Sequence, residues 1–261
     1  MNWHIDWGTV TSVVVALGAA ATGQIIAHHF SQSREDIKFK KECFQNLYSP
    51  IIVKIDNYLF AENQKSIALG TKSEEEYNQE YKDDYFNPNR LFTEIVNTVG
   101  SNLKYANQEL IMQYQDTIAL PHIDDSLADW VEPKIEFCDK FLTEYVQLSK
   151  DLGVYSPKIK ETVEGCLAFT QLFKLFLIVG YDSNELIRHQ LIIGNLSKYL
   201  NKIVKLNKKF KKKELTREAT VKLRIEVDTL LQQIQDSLPE HVSPQIFSNL
   251  KSPTDNQWQS L

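Results

Sequence analysis

Glycine, proline and cysteine are all scarce in this sequence: nine, eight and three residues among 261. So few glycines and prolines argue against repeat-rich β architectures and against long disordered linkers. The cysteines, Cys43, Cys138 and Cys166, are odd in number and widely spaced, so the sequence indicates neither a disulfide framework nor a zinc site. Free thiols fit a reducing compartment better than an oxidising one.

The sequence also lacks the short motifs that assign common enzymatic chemistries. The phosphate-binding GxxxxGK[ST], the dinucleotide-binding GxGxxG, the zinc-protease HExxH and the nucleophile-elbow GxSxG are all missing. The one local acid–base cluster, His122 with Asp124 and Asp125, lies in a predicted loop, where such residues more often cap a helix than form a site. The sequence therefore predicts no catalytic residues, no metal site and no cofactor, and we expect a protein that is not an enzyme.

An uncharged stretch near the N-terminus is the strongest single signal. Residues Trp7–Ala27 contain no ionisable side chain, and as a helix they are long enough to cross a hydrocarbon core of about 30 Å. Asp6 precedes the stretch, and four basic residues follow it: Arg34, Lys38, Lys40 and Lys41. The positive-inside rule then predicts a short external N-terminus (1–6), a transmembrane helix (7–27) and a cytoplasmic domain.

Two alternatives compete with a transmembrane helix. A secretory signal peptide would explain the small residues Ala19, Ala20 and Ala21, but it requires a positively charged start, which residues 1–6 do not supply. The free cysteines also fit poorly with export. A buried helix of a water-soluble protein is the other alternative.

Small residues form a stripe along the predicted span. Small side chains let helices approach closely in lipid, where no hydrophobic force drives them together, and polar groups add interhelical hydrogen bonds. The candidate packing or pore residues are Gly8, Thr11, Ser12, Ala16, Ala20, Gly23 and Gln24. A plain anchor that tolerates alanine and threonine is the alternative.

The remainder shows helical periodicity almost throughout, so we predict an all-α fold in which the transmembrane helix is followed by a multi-helix cytosolic bundle (28–240) and a polar C-terminal tail (241–261). The first long helix should bury Phe39, Cys43, Leu47, Tyr48, Ile51, Ile55 and Leu59. Pro50 should kink or divide that helix near Tyr48, and Gly70 should end it.

Caps and breakers place the later helices. Asn87-Pro88 and Ser156-Pro157 predict helix starts, and Gly153 predicts a helix end. Pro121–Asp125 is predicted as a loop that caps a helix running through Trp130. The stretch Cys166–Val179, with about 14 apolar-rich residues, is predicted to be a core helix because it is too short and polar for a bilayer. One helix from Asp182 or Ser183 to about Lys211, and another over Leu215–Leu238, complete the prediction.

Basic residues concentrate near the C-terminus. Eleven lie between Lys198 and Arg224 against two glutamates, a local charge of +9 that leaves −14 for the rest of a chain whose total is −5. Helical spacing should place Lys198, Lys202, Lys205 and Lys209 on one face. The candidate polyanion-binding residues are Lys198, Lys202, Lys205, Lys208, Lys209, Lys211, Lys212, Lys213 and Arg217. A solvated face, an oligonucleotide or nucleotide site, and a surface for anionic lipid headgroups are all consistent with this pattern.

The first fifth of the chain resembles small bacterial membrane-tethered helical proteins, several of which are effectors in anti-phage systems. The resemblance lies in the short outer N-terminus, the Trp7–Ala27 span and the basic helix from Lys40-Lys41 to Leu47-Tyr48-Ser49-Pro50-Ile51. It implies an inner-membrane protein whose cytosolic domain senses a signal, oligomerises the spans and permeabilises the membrane. The implied partners are membrane lipid, further copies of the chain, an oligonucleotide or nucleotide ligand, and a protein from the same operon. The alternative is a non-conducting scaffold that binds nucleic acid, nucleotide or a protein partner through its basic C-terminal helices.

Overall fold

The computed structural model describes residues 28, 30–81, 86–123, 130–188, 193–211 and 217–238. Within these ranges every regular element is helical, which confirms the predicted all-α class. The predicted transmembrane helix, its packing residues and the tail 241–261 lie outside the described residues. The predicted division into domains stays a prediction.

The first long helix carries a local irregularity where Pro50 predicted one. A helical run over residues 30–43 passes through a π-helical turn, Phe44–Tyr48, into helix α1 (Ser49–Ala68). Pro50 has no N–H with which to continue the regular ladder, and the wide turn directly precedes it. The predicted inner face is buried except at Phe39, which is 54% exposed. That prediction was wrong because Phe39 lies one turn before the buried stretch of this helix begins.

Side-chain caps start the next two helices. Ser73 forms a reciprocal capping box with Glu76 and begins α2 (Glu74–Glu80). Asn87 accepts hydrogen bonds from the backbone N–H groups of Asn89 and Arg90 and begins α3 (Pro88–Ser101), as predicted. A 3₁₀ turn over Leu103–Tyr105 follows.

Helix α4 (Gln108–Ile123) corrects the predicted loop over residues 121–123, whereas Asp124 and Asp125 lie outside the described residues. The helix continues through Pro121 and His122, although Pro121 has no N–H to donate to the backbone oxygen of Thr117 one turn earlier. A second correction concerns Trp130, which has extended backbone angles and precedes helix α5 (Val131–Leu152) instead of lying inside a helix. Pro133 is compatible with the first turn of α5, where N–H groups have no intrahelical partner.

Helix α6 (Pro157–Val179) forms the centre of the core. Ser156 caps its start, and Gly153, at φ 65°, ends the preceding α5, both as predicted. Of the described helices, α6 alone is long and apolar enough to cross a membrane, so the argument that this stretch is too short and polar was wrong. Two thirds (67%) of its apolar window is buried inside the protein, however, which is expected of a core helix.

The predicted single helix from residue 183 to 211 is instead built from several pieces. These are α7 (Ser183–Arg188), α8 (Ile193–Leu196), a 3₁₀ turn (Ser197–Tyr199) and α9 (Leu200–Lys211). Helix α8 lies so close to α6 that a Cβ at Gly165 would approach the carbonyl oxygen of Ile193 to 2.6 Å. This contact depends on tertiary packing, which helical periodicity alone does not reveal. Helix α10 (Arg217–Asp236) agrees with the predicted final helix.

Candidate anion-binding groove between α9 and α10

A shallow groove of about 310 Å³ lies between α9 and α10 and brings part of the basic block together. Lys202, Lys205 and Lys209 line it from α9, while Ile225, Glu226, Thr229 and Gln233 line it from α10. The predicted common face of these three lysines is therefore present. Lys198 precedes α9, in the 3₁₀ turn, and its ammonium lies 5.2 Å from the centroid of the Tyr199 ring.

The rotation of α9 is set by its opposite face. Ile203 and Leu206 are buried in the core, and so is the polar side chain of Asn207. The Nδ2 group of Asn207 donates to both the backbone oxygen and the Oε1 atom of Gln171 on α6, each at 2.8 Å. Because this face of α9 packs against the core and α6, the lysines on the opposite face point toward solvent.

Inside the protein, the anchoring of α9 continues into a buried polar network. Asp139 on α5 is 4% exposed, and its carboxylate accepts hydrogen bonds from Thr170 (2.9 Å), Gln171 (2.7 Å) and Lys174 (2.9 Å) of α6. Gln171 thus joins Asp139 to Asn207. The network ties α5, α6 and α9 together, and a buried carboxylate with three donors is well satisfied.

The lysines of the groove differ in how far they are already paired. The ammonium of Lys209 forms an ion pair with Glu226, and that of Lys202 donates to Gln233 Oε1 at 2.9 Å. Lys205 in the groove is exposed, as is Lys208, which lies on α9 but does not line the groove. No ion pair or hydrogen bond is found for either ammonium group within the described ranges. These two are therefore the lysines most available to an incoming anion.

Tyr199 contacts two residues that line the groove, Gln233 and Lys202, and its orientation is thereby fixed. Its hydroxyl donates to the backbone oxygen of Gln233 at 2.7 Å, and the ammonium of Lys202 lies 5.7 Å from its ring centroid. A held aromatic ring beside lysines is the combination on which nucleic-acid bases stack. Phe210, the other aromatic residue between Lys198 and Arg224, packs against the core and is partly buried.

The remaining predicted residues contribute less. Lys211 ends α9 and Arg217 begins α10, but their side chains, like Lys212 and Lys213, lie outside what the structure describes. The predicted membrane-packing residues lie outside it as well. Sequence patterns missed Glu226 and Gln233, because nothing along the chain signals which α10 residues meet α9.

No cluster of three or more histidine, cysteine or acidic side chains that could hold a metal ion occurs among the described residues. Burial raises the pKa of the Cys138 and Cys166 thiols well above their ordinary value, so neither is a thiolate nucleophile at neutral pH. The prediction that the chain is not an enzyme stays a prediction.

Comparison with known proteins adds no further constraint. No protein-family model matches the chain, and no match was found among curated proteins or solved structures.

Proposed function

We propose that this chain is a non-enzymatic, self-associating inner-membrane effector, in which residues 7–27 cross the bacterial membrane and the helical bundle controls permeabilisation, in a setting such as phage defence. Copies pack their small-residue stripes together, and Thr11, Ser12, Thr22 and Gln24 form a polar seam or narrow pore. Control requires a ligand or partner that binds one assembly state more tightly than the other.

The continuity of the first long helix is the observation that carries the proposal. The helical run over 30–43 leads into α1 without a non-helical break, and Leu47, Ile51 and Ile55 on its inner face are fully buried. Leu47 follows the end of the predicted span by 20 residues, which is between five and six helical turns, so the proposed path from the span to the bundle core is short. Because packed cores deform little, a rearrangement of the bundle is transmitted to the span.

Exposed apolar side chains near the predicted membrane surface favour contact between copies. Phe30 and Ile37 are 61% and 50% exposed and, seven residues apart, lie on nearly the same side of the helix. Copies inserted side by side in one membrane would present these positions to each other at the same height. Burying them would add a hydrophobic contribution to assembly.

Depolarisation on expression tests the proposal. Cells carrying a membrane-potential dye are compared after induction of the wild type, the double variant Ala20→Leu/Gly23→Leu, and the control Gly18→Leu/Ala21→Leu, which adds the same atoms on another side of the span. The expected result is depolarisation by the wild type and the control, and none by Ala20→Leu/Gly23→Leu at equal membrane abundance. Equal depolarisation by all three proteins would contradict a pore built on the small-residue stripe.

A second candidate function is a non-conducting scaffold that holds nucleic acid, a nucleotide or a protein near the inner leaflet. The outer face of α9 favours it, because Lys205 and Lys208 are exposed there and Lys202, in the groove, lies 5.7 Å from the centroid of the held Tyr199 ring. Counter-ion release makes such binding salt-dependent, and two lost phosphate contacts reduce the slope of log K against log salt by roughly two.

Charge reversal on the outer face of α9 tests this second function. Fluorescence anisotropy with a labelled single-stranded oligonucleotide is measured for the full chain in detergent, for Lys205→Glu/Lys208→Glu, and for the charge-matched control Lys158→Glu/Lys160→Glu at the start of α6. The scaffold hypothesis predicts weaker and less salt-sensitive oligonucleotide binding only for Lys205→Glu/Lys208→Glu. Equal losses in both variants would mean that binding depends on the overall charge of the protein and not on the position of these two lysines.

A further inference from the structure

A second cavity, of about 520 Å³, lies far along the chain from the lysine groove and has different walls. It is bounded by the C-terminal half of α1, the following turn, α2 with Tyr81 directly after it, and Phe86, which lies just before α3. Its lining residues are Phe60, Gln64, Ile67, Ala68, Thr71, Lys72, Tyr77, Tyr81 and Phe86.

Two pairs of aromatic rings form the walls of this cavity. Tyr77 and Tyr81 are stacked with centroids 4.8 Å apart, and Phe60 and Phe86 meet edge to face at 6.2 Å. Although they line a cavity, Phe60 and Phe86 are 43% and 44% exposed. Apolar rings left open to solvent around a concave space are characteristic of a binding site.

The supporting structure holds α2 firmly against α1. The capping box of Ser73 and Glu76 fixes the start of α2, and at its end the Asn87 side chain donates to the backbone oxygen of Tyr81 at 3.2 Å. Lys65 on α1 forms an ion pair of 3.6 Å with Glu74. The two tyrosine rings are therefore positioned before any ligand arrives, which lowers the entropic cost of binding.

The charge around this cavity selects for a cation. Residues 72–81 carry four glutamates and one lysine, a net −3, so a phosphate-bearing ligand is disfavoured here. A positive group is already present at the rings, because the Lys72 ammonium lies 5.2 Å from the Tyr81 centroid while paired with Glu80. The face of Tyr81 thus accepts a cation within ordinary cation–π distance.

Hydrogen-bonding capacity narrows the kind of cation. A primary ammonium must satisfy three N–H donors, yet most side chains that line the cavity are apolar or aromatic. A quaternary ammonium has no N–H to satisfy and offers methyl groups to the rings and to Ile67. Enclosure by aromatic rings is the recurrent protein solution for such groups.

We propose that this aromatic cavity binds a small molecule bearing a quaternary ammonium group, and that Lys72 occupies the cation position when the ligand is absent. The ligand displaces the Lys72 ammonium from Tyr81 and places its methyl groups against the rings. This site is separate from the lysine groove and does not depend on the proposed membrane function.

Calorimetry on the full chain in detergent tests the site with two probes of equal shape. Choline carries the positive charge, and 3,3-dimethylbutan-1-ol replaces its nitrogen by carbon. Choline is expected to bind about tenfold more tightly, since cation–π stabilisation acts only on the charged probe. Equal affinities, or no measurable choline binding, would overturn the proposal.

Variants separate a binding role from a structural one. Tyr81→Leu is expected to weaken choline binding about tenfold, and Tyr81→Phe to retain it, because the ring face remains. Lys72→Gln is expected to tighten binding about twofold or more, since it removes the internal competitor and leaves Glu80 unpaired. The control is Tyr105→Leu, at a ring that also lies under a lysine (Lys104, 4.8 Å) but outside this cavity.

The test does not depend on the folding of Tyr81→Leu alone. If Tyr81→Leu fails to fold, as judged by circular dichroism, the affinity gain in Lys72→Gln and the contrast between the two probes still decide the question. Weaker choline binding by Lys72→Gln, or an equal loss with Tyr105→Leu, would contradict the proposal.

Discussion

The two faces of α9 differ in burial and in charge, although their residues alternate along one helix of twelve residues. The inner face holds Ile203 and Leu206 in the core and Asn207 in hydrogen bonds to α6. The outer face carries lysines, of which Lys205 and Lys208 are solvent-exposed. The contrast teaches that stability and binding are separable on this helix, because the groups responsible for each point in opposite directions.

The same contrast holds for individual lysines. Lys174 on α6 lies inside the protein and is matched by the buried carboxylate of Asp139 at 2.9 Å. Lys205 on α9 is solvent-exposed. A charge in the interior is expected to affect folding strongly, whereas a solvated one affects long-range attraction and hardly affects folding.

The largest effect is expected from Asp139→Ala. This change leaves the Lys174 ammonium, whose side chain is only 20% exposed, without its counter-charge and removes the acceptor for Thr170 and Gln171. Breaking such a buried pair costs about 3 kcal/mol or more. Urea denaturation followed by circular dichroism measures the loss.

Two comparisons sharpen that experiment. Asp151→Ala breaks the exposed pair with Lys40 and is expected to cost at most about 1 kcal/mol. Adding Lys174→Met to Asp139→Ala removes the orphaned charge and should recover part of the lost stability. A cost for Asp139→Ala no greater than that for Asp151→Ala would remove the distinction between interior and exterior charges.

An intermediate effect is expected from Asn207→Ala, on the inner face of α9. The variant loses both hydrogen bonds that Nδ2 donates to Gln171 on α6, in a partly buried position. Such a loss costs about 1–2 kcal/mol. Thermal unfolding measures it, and an unchanged midpoint would show that Asn207 does not anchor the helix.

The smallest change in stability is expected on the outer face. Lys205→Glu/Lys208→Glu should alter the free energy of unfolding by no more than about 0.5 kcal/mol, because solvated lysines make little net contribution to folding. The same denaturation measurement checks this value. A loss comparable to that of Asn207→Ala would mean that the two faces of α9 are not independent.

Local signals along the sequence located much of this fold, and long-range contacts account for most of what they missed. Caps and breakers are short-range, so Asn87-Pro88, Ser156-Pro157 and Gly153 marked helix ends correctly. The division of the chain into α8 and α9 could not be foreseen, because it depends on the close approach of Ile193 to Gly165 in another helix. Local signals can also mislead: Pro121 predicted a loop, but α4 continues through it to Ile123.

The candidate sites show the same division. Lysine spacing placed Lys202, Lys205 and Lys209 on one face correctly. The α10 side of the groove and the pairing of Asp139 with Lys174 require knowledge of which helices are neighbours. The aromatic cavity was missed because its walls come from α1, α2 and Phe86 before α3. No sequence pattern in any one of these segments shows that the three lie next to each other.

Membrane fractionation with alkaline carbonate tests the central claim of a membrane-tethered bundle most directly. The full chain is predicted to remain in the carbonate-washed membrane pellet and to be released only by detergent, while a chain that begins at Ser31 is predicted to appear in the supernatant. Recovery of the full chain from the soluble fraction without detergent, as a folded particle, would contradict the account.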